Sequence, residues 1–216
     1  MRHRLKTYRG RPGSFLLLLL VLLSAVLTAG IVVFIVAYIL INGIPNLSME
    51  LFEWEYNSDN VSMMPSIINT LIMVVLTLVI AVPVGVFSAI YLTEYAGKGN
   101  KFVAVIRVTA ETLSGIPSIV YGLFGFLMFV IALKWQFCLL AGVLTLAIMV
   151  LPLIMRTTEE ALLAVPDSYR EGSFGLGAGR LRTVFRIVLP SAMPGILSGV
   201  ILAIGRIVGE SAALIF

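Results

Sequence analysis

Long uninterrupted apolar runs, separated by short polar segments, set the pattern of this chain. Phe15 to Ile41 and Ser66 to Leu92 contain no charged residue. Thr112 to Leu133 follows Glu111, and Trp135 to Met155 follows Lys134. A fifth run, roughly Met193 to Phe216, carries Arg206 and Glu210. A helix of about 18 to 25 apolar residues is long enough to cross a bilayer. The pattern therefore predicts five spans, over about 15–41, 66–92, 108–133, 136–155 and 192–216. They are joined by a loop over 42–65 on one side and a long polar segment over 156–190 on the other.

That long segment has its own pattern. Ser168-x-x-Glu171 has the spacing of a capping box, which predicts a short helix from about Tyr169 to Leu176, ended by Gly177 or Gly179. Beyond it, Leu181, Val184, Phe185, Val188 and Leu189 recur at the spacing of one helical face, with Arg180, Arg182 and Arg186 off the stripe. Pro190 and Pro194 then predict a turn into the fifth span.

Composition turns the pattern into a class. The 216 residues are 60% hydrophobic and only 12% charged, against about 25% charged in soluble domains. The expected fold is an all-α integral membrane protein, a polytopic helical bundle. The first run is well beyond the roughly 7 to 15 apolar residues of a signal peptide and has no cleavage pattern, so it reads as a retained anchor. The single cysteine, Cys138, excludes an internal disulfide and a cysteine metal cluster. The closing residues "GESAALIF" have no basic flank and no polar tail, which predicts a further, sixth span beyond them.

Charge adds an orientation. Arg2, Arg4, Lys6, Arg9 and Arg11 form a basic arm over 1–14; Lys98, Lys101 and Arg107 follow the second span; and Arg156, Arg170, Arg180, Arg182 and Arg186 follow the fourth. With alternating spans these thirteen lie on one side, while the 42–65 loop carries Glu50, Glu53, Glu55 and Asp59, and Lys134 is the one basic residue on its side. Basic loops mark the cytoplasmic face, so the N-terminus is expected in the cytoplasm and the 42–65 loop outside. The pI of about 9.4 then reflects topology and contact with anionic lipid headgroups rather than a nucleic-acid partner.

Several residues within the spans suggest more than anchoring. Pro83 and Pro117 kink or break a helix, and Gly115, Ser118, Gly122 and Gly125 allow close helix contact; together they suit helices that bend or slide, as in a transporter. Arg206 and Glu210, four apart, are expected on one face of the fifth span. Charges at membrane depth are costly and mark ion or substrate paths. Two readings stand: a mutually neutralising pair that fixes the bundle, or a positive group lining a path for an anion with Glu210 tuning it. Phe52, Trp54 and Tyr56 in the outer loop suit either the headgroup level or contact with an extracellular partner.

The glycines of "YREGSFGLGAG" invite a phosphate-cradle reading, but no lysine follows them and no strand precedes them, so the P-loop pattern is not met. The one histidine is His3, and no Ser/His or His/Glu set exists, which argues against an intramembrane enzyme. What remains is two helices joined by glycine, a docking element for a cytoplasmic protein.

Here the chain resembles a known family. Glu171, Gly177, Ile187, Leu189 and Pro190 fit the pattern E-A-A-x-x-x-G-x9-I-x-L-P of the permease subunits of binding-protein-dependent ABC importers, with Gly172 and Ser173 in place of the two alanines. From about Pro65 onward, "IYLTEYA", "SGIPSIVYGLFG", "ALLAVPDSYREGSFGLGAG" and "RIVLPSAMPGILSGVILAIGRIVGE" are similar to the PstA-type phosphate branch of that family. The resemblance implies six spans and a coupling helix, here Ser168, Tyr169, Arg170, Glu171, Gly172, Ser173 and Gly177, seated on an ATP-binding subunit. It also implies the partners: a second, PstC-type permease subunit, a pair of ATP-binding cassette subunits and an extracytoplasmic phosphate-binding protein. ATP would be bound and hydrolysed in the cassette subunits, so the chain itself needs no cofactor or metal and is not a catalyst. A secondary transporter is the rival; it would show repeated broken spans around a midplane site and need no docking loop.

Overall fold

The computed structural model describes residues 12–57, 62–96 and 99–215. The basic arm residues Arg2, Arg4, Lys6, Arg9 and Arg11, together with Asp59, Lys98 and Phe216, lie outside the described residues. The described chain is helical throughout, and it divides into two units, Met1–Pro65 and Ser66–Phe216.

In the first unit, α1 runs from Pro12 to Gly43. Its side chains are apolar on every face and exposed, as a helix surrounded by lipid requires. Two of its hydroxyls are satisfied within the helix, Ser24 donating to the Val21 carbonyl and Thr28 to the Ser24 carbonyl. Two 3₁₀ turns follow, Ile44–Asn46 and Met49–Phe52. The Met63 amide closes the loop onto the Leu51 carbonyl at 2.8 Å, and the Ser62 hydroxyl donates to the Glu53 carbonyl. Phe52, Trp54 and Tyr56 stand exposed on this loop.

Helix α2 spans Met64–Ile90, all but its first two residues in the second unit, and continues through a π turn at Tyr91–Tyr95. Pro83 sits inside α2 without interrupting it. The expected third span, 108–133, is not one helix. It is α3, Lys101–Ser114, and α4, Ser118–Gly125, extended by a π segment to Ala132, with a bend of 103° between them. Pro117 causes the break, since it lacks an amide proton and disfavours helical backbone at Ile116. Pro117 is itself extended, at φ −58° and ψ 140°, and stands at the start of α4.

A tight turn follows, in which Lys134 and Gln136 adopt left-handed backbone at φ 56° and 62°. Phe129 stacks on Trp135, and Phe126 on Phe137, at centroid separations of 5.6 and 5.8 Å. Then α5 runs from Leu139 to Leu163, well past the Met155 boundary expected from the apolar run. Its last two turns carry Arg156, Glu159 and Glu160, charged residues that prolong a helix once one face is packed.

The end of the chain also differs from expectation. After α6, Asp167–Gly175, and α7, Arg180–Thr183, a π turn at Val184–Val188 leads directly into α8, Leu189–Val208. The expected turn at Pro190 and Pro194 is absent. Pro190 falls in the first turn of α8, just past the register shift of the π turn, where a missing amide proton is tolerated. The last helix thus begins earlier than the 192–216 segment and stops at Val208. Of the expected stripe, Val184 and Val188 are buried, whereas Leu181 and Phe185 remain exposed.

Among the described residues, four helices are long and apolar enough to cross a membrane, and the bent pair makes a fifth crossing if it is counted as one span. Around α5 the second unit buries two hydrophobic clusters. One joins Leu146, Met149, Val150 and Ile154 to Val74, Ala81, Tyr121, Ala203 and Ile207. The other joins Met155 and Leu162 to Ala89, Ile90, Val103, Val184, Val188 and Ile196. Small residues bring α8 close: a Cβ on Gly195 would lie 2.6 Å from that of Ala161, one on Gly199 would collide with Thr157, and Ala203 is fully buried. This is the small-xxx-small contact by which helices associate without a hydrophobic driving force.

Candidate functional site

The segment between α5 and α8 is built as a rigid bracket. Helix α6 begins one residue after Pro166, which supplies no side-chain cap. Ser168 therefore does not cap the helix as its spacing with Glu171 suggested; it lies exposed in the first turn. Asp167 holds the first-turn position instead and accepts from Arg170 at 3.1 Å. At the other end, Gly177 adopts φ +81°, its amide donating to the Phe174 carbonyl, while the Ala178 amide donates to the Ser173 carbonyl. That pair of bonds is a Schellman cap, which needs a left-handed residue and so favours glycine.

Arg170 is the hub of the bracket. Its Nε and Nη2 bond to the Glu94 carboxylate at 3.1 and 2.7 Å. Nη1 donates to the Val165 carbonyl just beyond α5, and Nη2 to the Leu162 carbonyl in its last turn, at 2.8 and 2.9 Å, the latter satisfying one of the free acceptors at that helix end. The hydrogen bond to Glu94 raises the Arg170 pKa above its ordinary value despite the opposing effect of burial. Beside it the Arg180 guanidinium lies 5.8 Å from the centre of the Tyr95 ring. Neither Glu94 nor Thr183 was a candidate from sequence. The Thr183 hydroxyl meets that of the buried Ser173 at 2.8 Å, which gives a serine at this position a partner that an alanine would not need.

The outward side of the bracket is apolar and unusually exposed for a polar segment. Leu176 is 91% exposed, and Tyr169 and Phe174 about half. Ser168, Glu171, Gly172 and Gly177 lie on the surface with them, Pro190 is exposed, and Ile187 and Leu189 are half-buried. A groove of about 470 Å³ opens between α6 and α7, lined by Ser173, Leu176, Gly177, Arg182, Arg186 and Ile187. The bracket thus presents an exposed apolar knob beside an arginine-lined groove.

The second candidate set, Arg206 and Glu210, is separated by the structure. Arg206 lies in the last turn of α8, but the helix ends before Glu210, so the two do not share a helical face. The Glu210 carboxylate instead accepts the amides of Ala212 and Ala213 at 3.0 and 3.1 Å, opening the 3₁₀ turn Ala212–Leu214. Glycine at 209 and this side-chain cap explain where the helix stops. Among the described residues, no ion pair joins Arg206 to Glu210, so the mutually neutralising pair is not formed. Arg206 is partly exposed, and among the described residues its side chain forms no ion pair. Among the described residues, no group of acidic, histidine or cysteine side chains is placed to hold a metal ion.

Comparison with known proteins places this architecture. Residues 81–216 match the family of the "binding-protein-dependent transport system inner membrane component". The probable ABC transporter permease YqgI of Bacillus subtilis (strain 168) is 38% identical over 196 residues, covering 90% of this chain and 66% of that protein. Phosphate transport system permease PstA 1 of Mycobacterium tuberculosis is 43% identical over 146 residues, 68% of this chain and 47% of that one. PstA of Haemophilus influenzae is 32% identical over 214 residues, 98% and 75% of the two chains. The chain thus spans about half to two thirds of the length of the first two. Among solved structures, the inward-facing MetNI methionine ABC transporter shares the fold, with a TM-score of 0.56 at 24% identity over 68% of each chain. With the helical bundle, the bracket after α5 and these relatives in view, the chain belongs to the binding-protein-dependent inner membrane permeases of ABC transporters.

Proposed function

We propose that this chain is the permease subunit of an ATP-driven importer of inorganic phosphate, forming half of a translocation path. The observation that carries the substrate is the likeness to phosphate permeases named PstA, which extends over 98% of the chain in one case and includes the bracket. The exposed knob of Tyr169, Phe174 and Leu176 would seat on an ATP-binding cassette subunit, where ATP is bound and hydrolysed. A second permease subunit of the PstC type and an extracytoplasmic phosphate-binding protein complete the machine. The N-terminus faces the cytoplasm, as the thirteen-to-one distribution of basic residues favours. ATP acts by favouring one of two pore states.

Arg206 is the positive group this reading places along the anion's path. Uptake of labelled phosphate, in cells lacking their own high-affinity importer, should depend on ATP and fall at least about tenfold in Arg206→Gln, a typical loss for removing a charged hydrogen-bond donor. Glu210→Gln should retain most uptake, because its amide oxygen can still accept from Ala212 and Ala213. Undiminished uptake in Arg206→Gln would remove Arg206 from the path. ATP-dependent uptake of a different oxyanion, with none of phosphate, would reassign the substrate.

A further inference from the structure

The ion pairs of the second unit are not equivalent. Arg156 and Glu160 are both more than half exposed and sit on one helix, the kind of pair that contributes little. Arg107 bonds Glu159 at 2.6 Å and ties α3 to α5, but its own side chain is 48% exposed. Arg170 and Glu94 are 16% and 9% exposed, and 76 residues apart in sequence. The planar fork of Arg170 commits donors in every direction: to Glu94 in the π turn that continues α2, to the Leu162 carbonyl in the last turn of α5 and the Val165 carbonyl just beyond it, and to Asp167 of its own helix. No direction is left for a partner protein, so this arginine faces inward although it stands beside the docking glutamate, Glu171.

We infer that the Arg170–Glu94 pair is the joint through which displacement of α6 is passed to α2 and α5, and so a positioning pair for energy coupling rather than part of the docking surface. The inference rests on the reading of α6 as the element that meets the ATP-hydrolysing partner. A lysine at 170 supplies a point charge with three donors and no fork, and so cannot hold Glu94 and the Leu162 and Val165 carbonyls at once. A glutamine at 94 keeps the shape but leaves the partly buried guanidinium without its counter-charge. In either variant the knob of α6 is untouched, but its movement is no longer tied to the two helices.

The chain carries its own reporter. Its single cysteine, Cys138, is exposed and stands immediately before Leu139, at the far end of α5 from Arg170. A helix of 25 residues separates the two, a distance of about 37 Å at 1.5 Å per residue. The test uses the chain in complex with companion subunits whose cysteines have been replaced. The maleimide reaction rate at Cys138 is measured with and without ATP plus vanadate, alongside ATPase co-purification and hydrolysis. The unsubstituted complex should change its labelling rate on trapping by about tenfold, within the usual range of coupling between sites. Arg170→Lys and Glu94→Gln should keep co-purification, hydrolysis and the ATP-free labelling rate, yet lose the ATP-dependent change.

Retention of that change in both variants overturns the inference. So does a loss of co-purification, which would return Arg170 to the docking surface, or an unsubstituted complex whose Cys138 ignores ATP. Failure of the unsubstituted chain to bind any ATPase would instead overturn the reading of α6, and it is visible before labelling begins. Phosphate is not needed, so the outcome is separate from the substrate question.

Discussion

ATP-driven uptake in a Gly177→Asp variant is expected to fall by at least about a hundredfold, while the membrane helices remain folded. Two effects have to be separated. At φ +81° any side chain is strained, by about 1–2 kcal/mol for an ordinary residue and less for asparagine or aspartate, which enter this region most readily. A Cβ at 177 would meet no atom within 4 Å, so within the chain the substitution collides with nothing. The larger effect arises only on docking, where a carboxylate pressed into a protein surface loses its water, a cost that Arg182 and Arg186 of the same groove offset only in part. A cost of roughly 2.7 kcal/mol there corresponds to the hundredfold loss. Gly177→Asn is the matched control, with nearly the same strain and no charge. Uptake and ATPase co-purification measured on both decide the matter. If asparagine impairs them as severely as aspartate, Gly177 serves only to end α6, and the docking surface lies elsewhere on the bracket.

Much of the architecture was legible because the bilayer makes few demands and makes them strongly. Apolar runs such as 66–92 and the start of α5 need only hydropathy and length to be found. Hydropathy says nothing about direction, however, and so 108–133 read as one span although Pro117 turns the chain by 103°. The proline was visible; that Pro117, and not Pro83, Pro152 or Pro194, would break its helix was not. Pro83, Pro152 and Pro194 all sit within continuous helices, where neighbouring segments hold the backbone in place. The close contact of α5 and α8 had a signal that went unread, the four-residue spacing of Gly195, Gly199 and Ala203. The extension of the last helix back to Arg180 had none, because a π turn ahead of Pro190 is not encoded in periodicity.

The candidate site divides along the same line. Gly177 could be assigned from local chemistry, since a left-handed cap needs glycine and lies within one turn of the helix it ends. Ser168 could not, because a capping box is a weak local preference, and here the first turn is organised by Arg170 and Asp167 instead. Arg170 itself was visible as a residue of the coupling segment, but its partner Glu94 lies on another helix and carries no spacing relation to it. Arg206 and Glu210 show the converse: an i,i+4 spacing defines a shared face only while the helix continues through both residues, and here it does not.

The largest expected loss of structure comes from filling Gly122. A Cβ at this position would stand 2.6 Å from the Ala213 carbonyl oxygen and 3.0 Å from the Ala213 Cα, so the obstacle is backbone. That backbone belongs to the turn held by the Glu210 carboxylate, which leaves it little freedom to withdraw. Gly122→Ala should cost about 1–3 kcal/mol, the usual cost of overpacking, and Gly122→Val more, with loss of monodisperse protein in detergent. Gly142 provides the comparison, because its Cβ would crowd the terminal methyl of Met73, at 2.8 Å, and otherwise make an ordinary contact with a Leu214 methyl at 3.6 Å. A flexible thioether moves aside readily, so Gly142→Ala should be close to neutral. Thermal unfolding followed by size-exclusion chromatography distinguishes the two. A Gly122→Ala protein as stable as Gly142→Ala would mean that the turn after α8 yields easily, and that the seat of Ala213 against α4 does not hold the bent span in place.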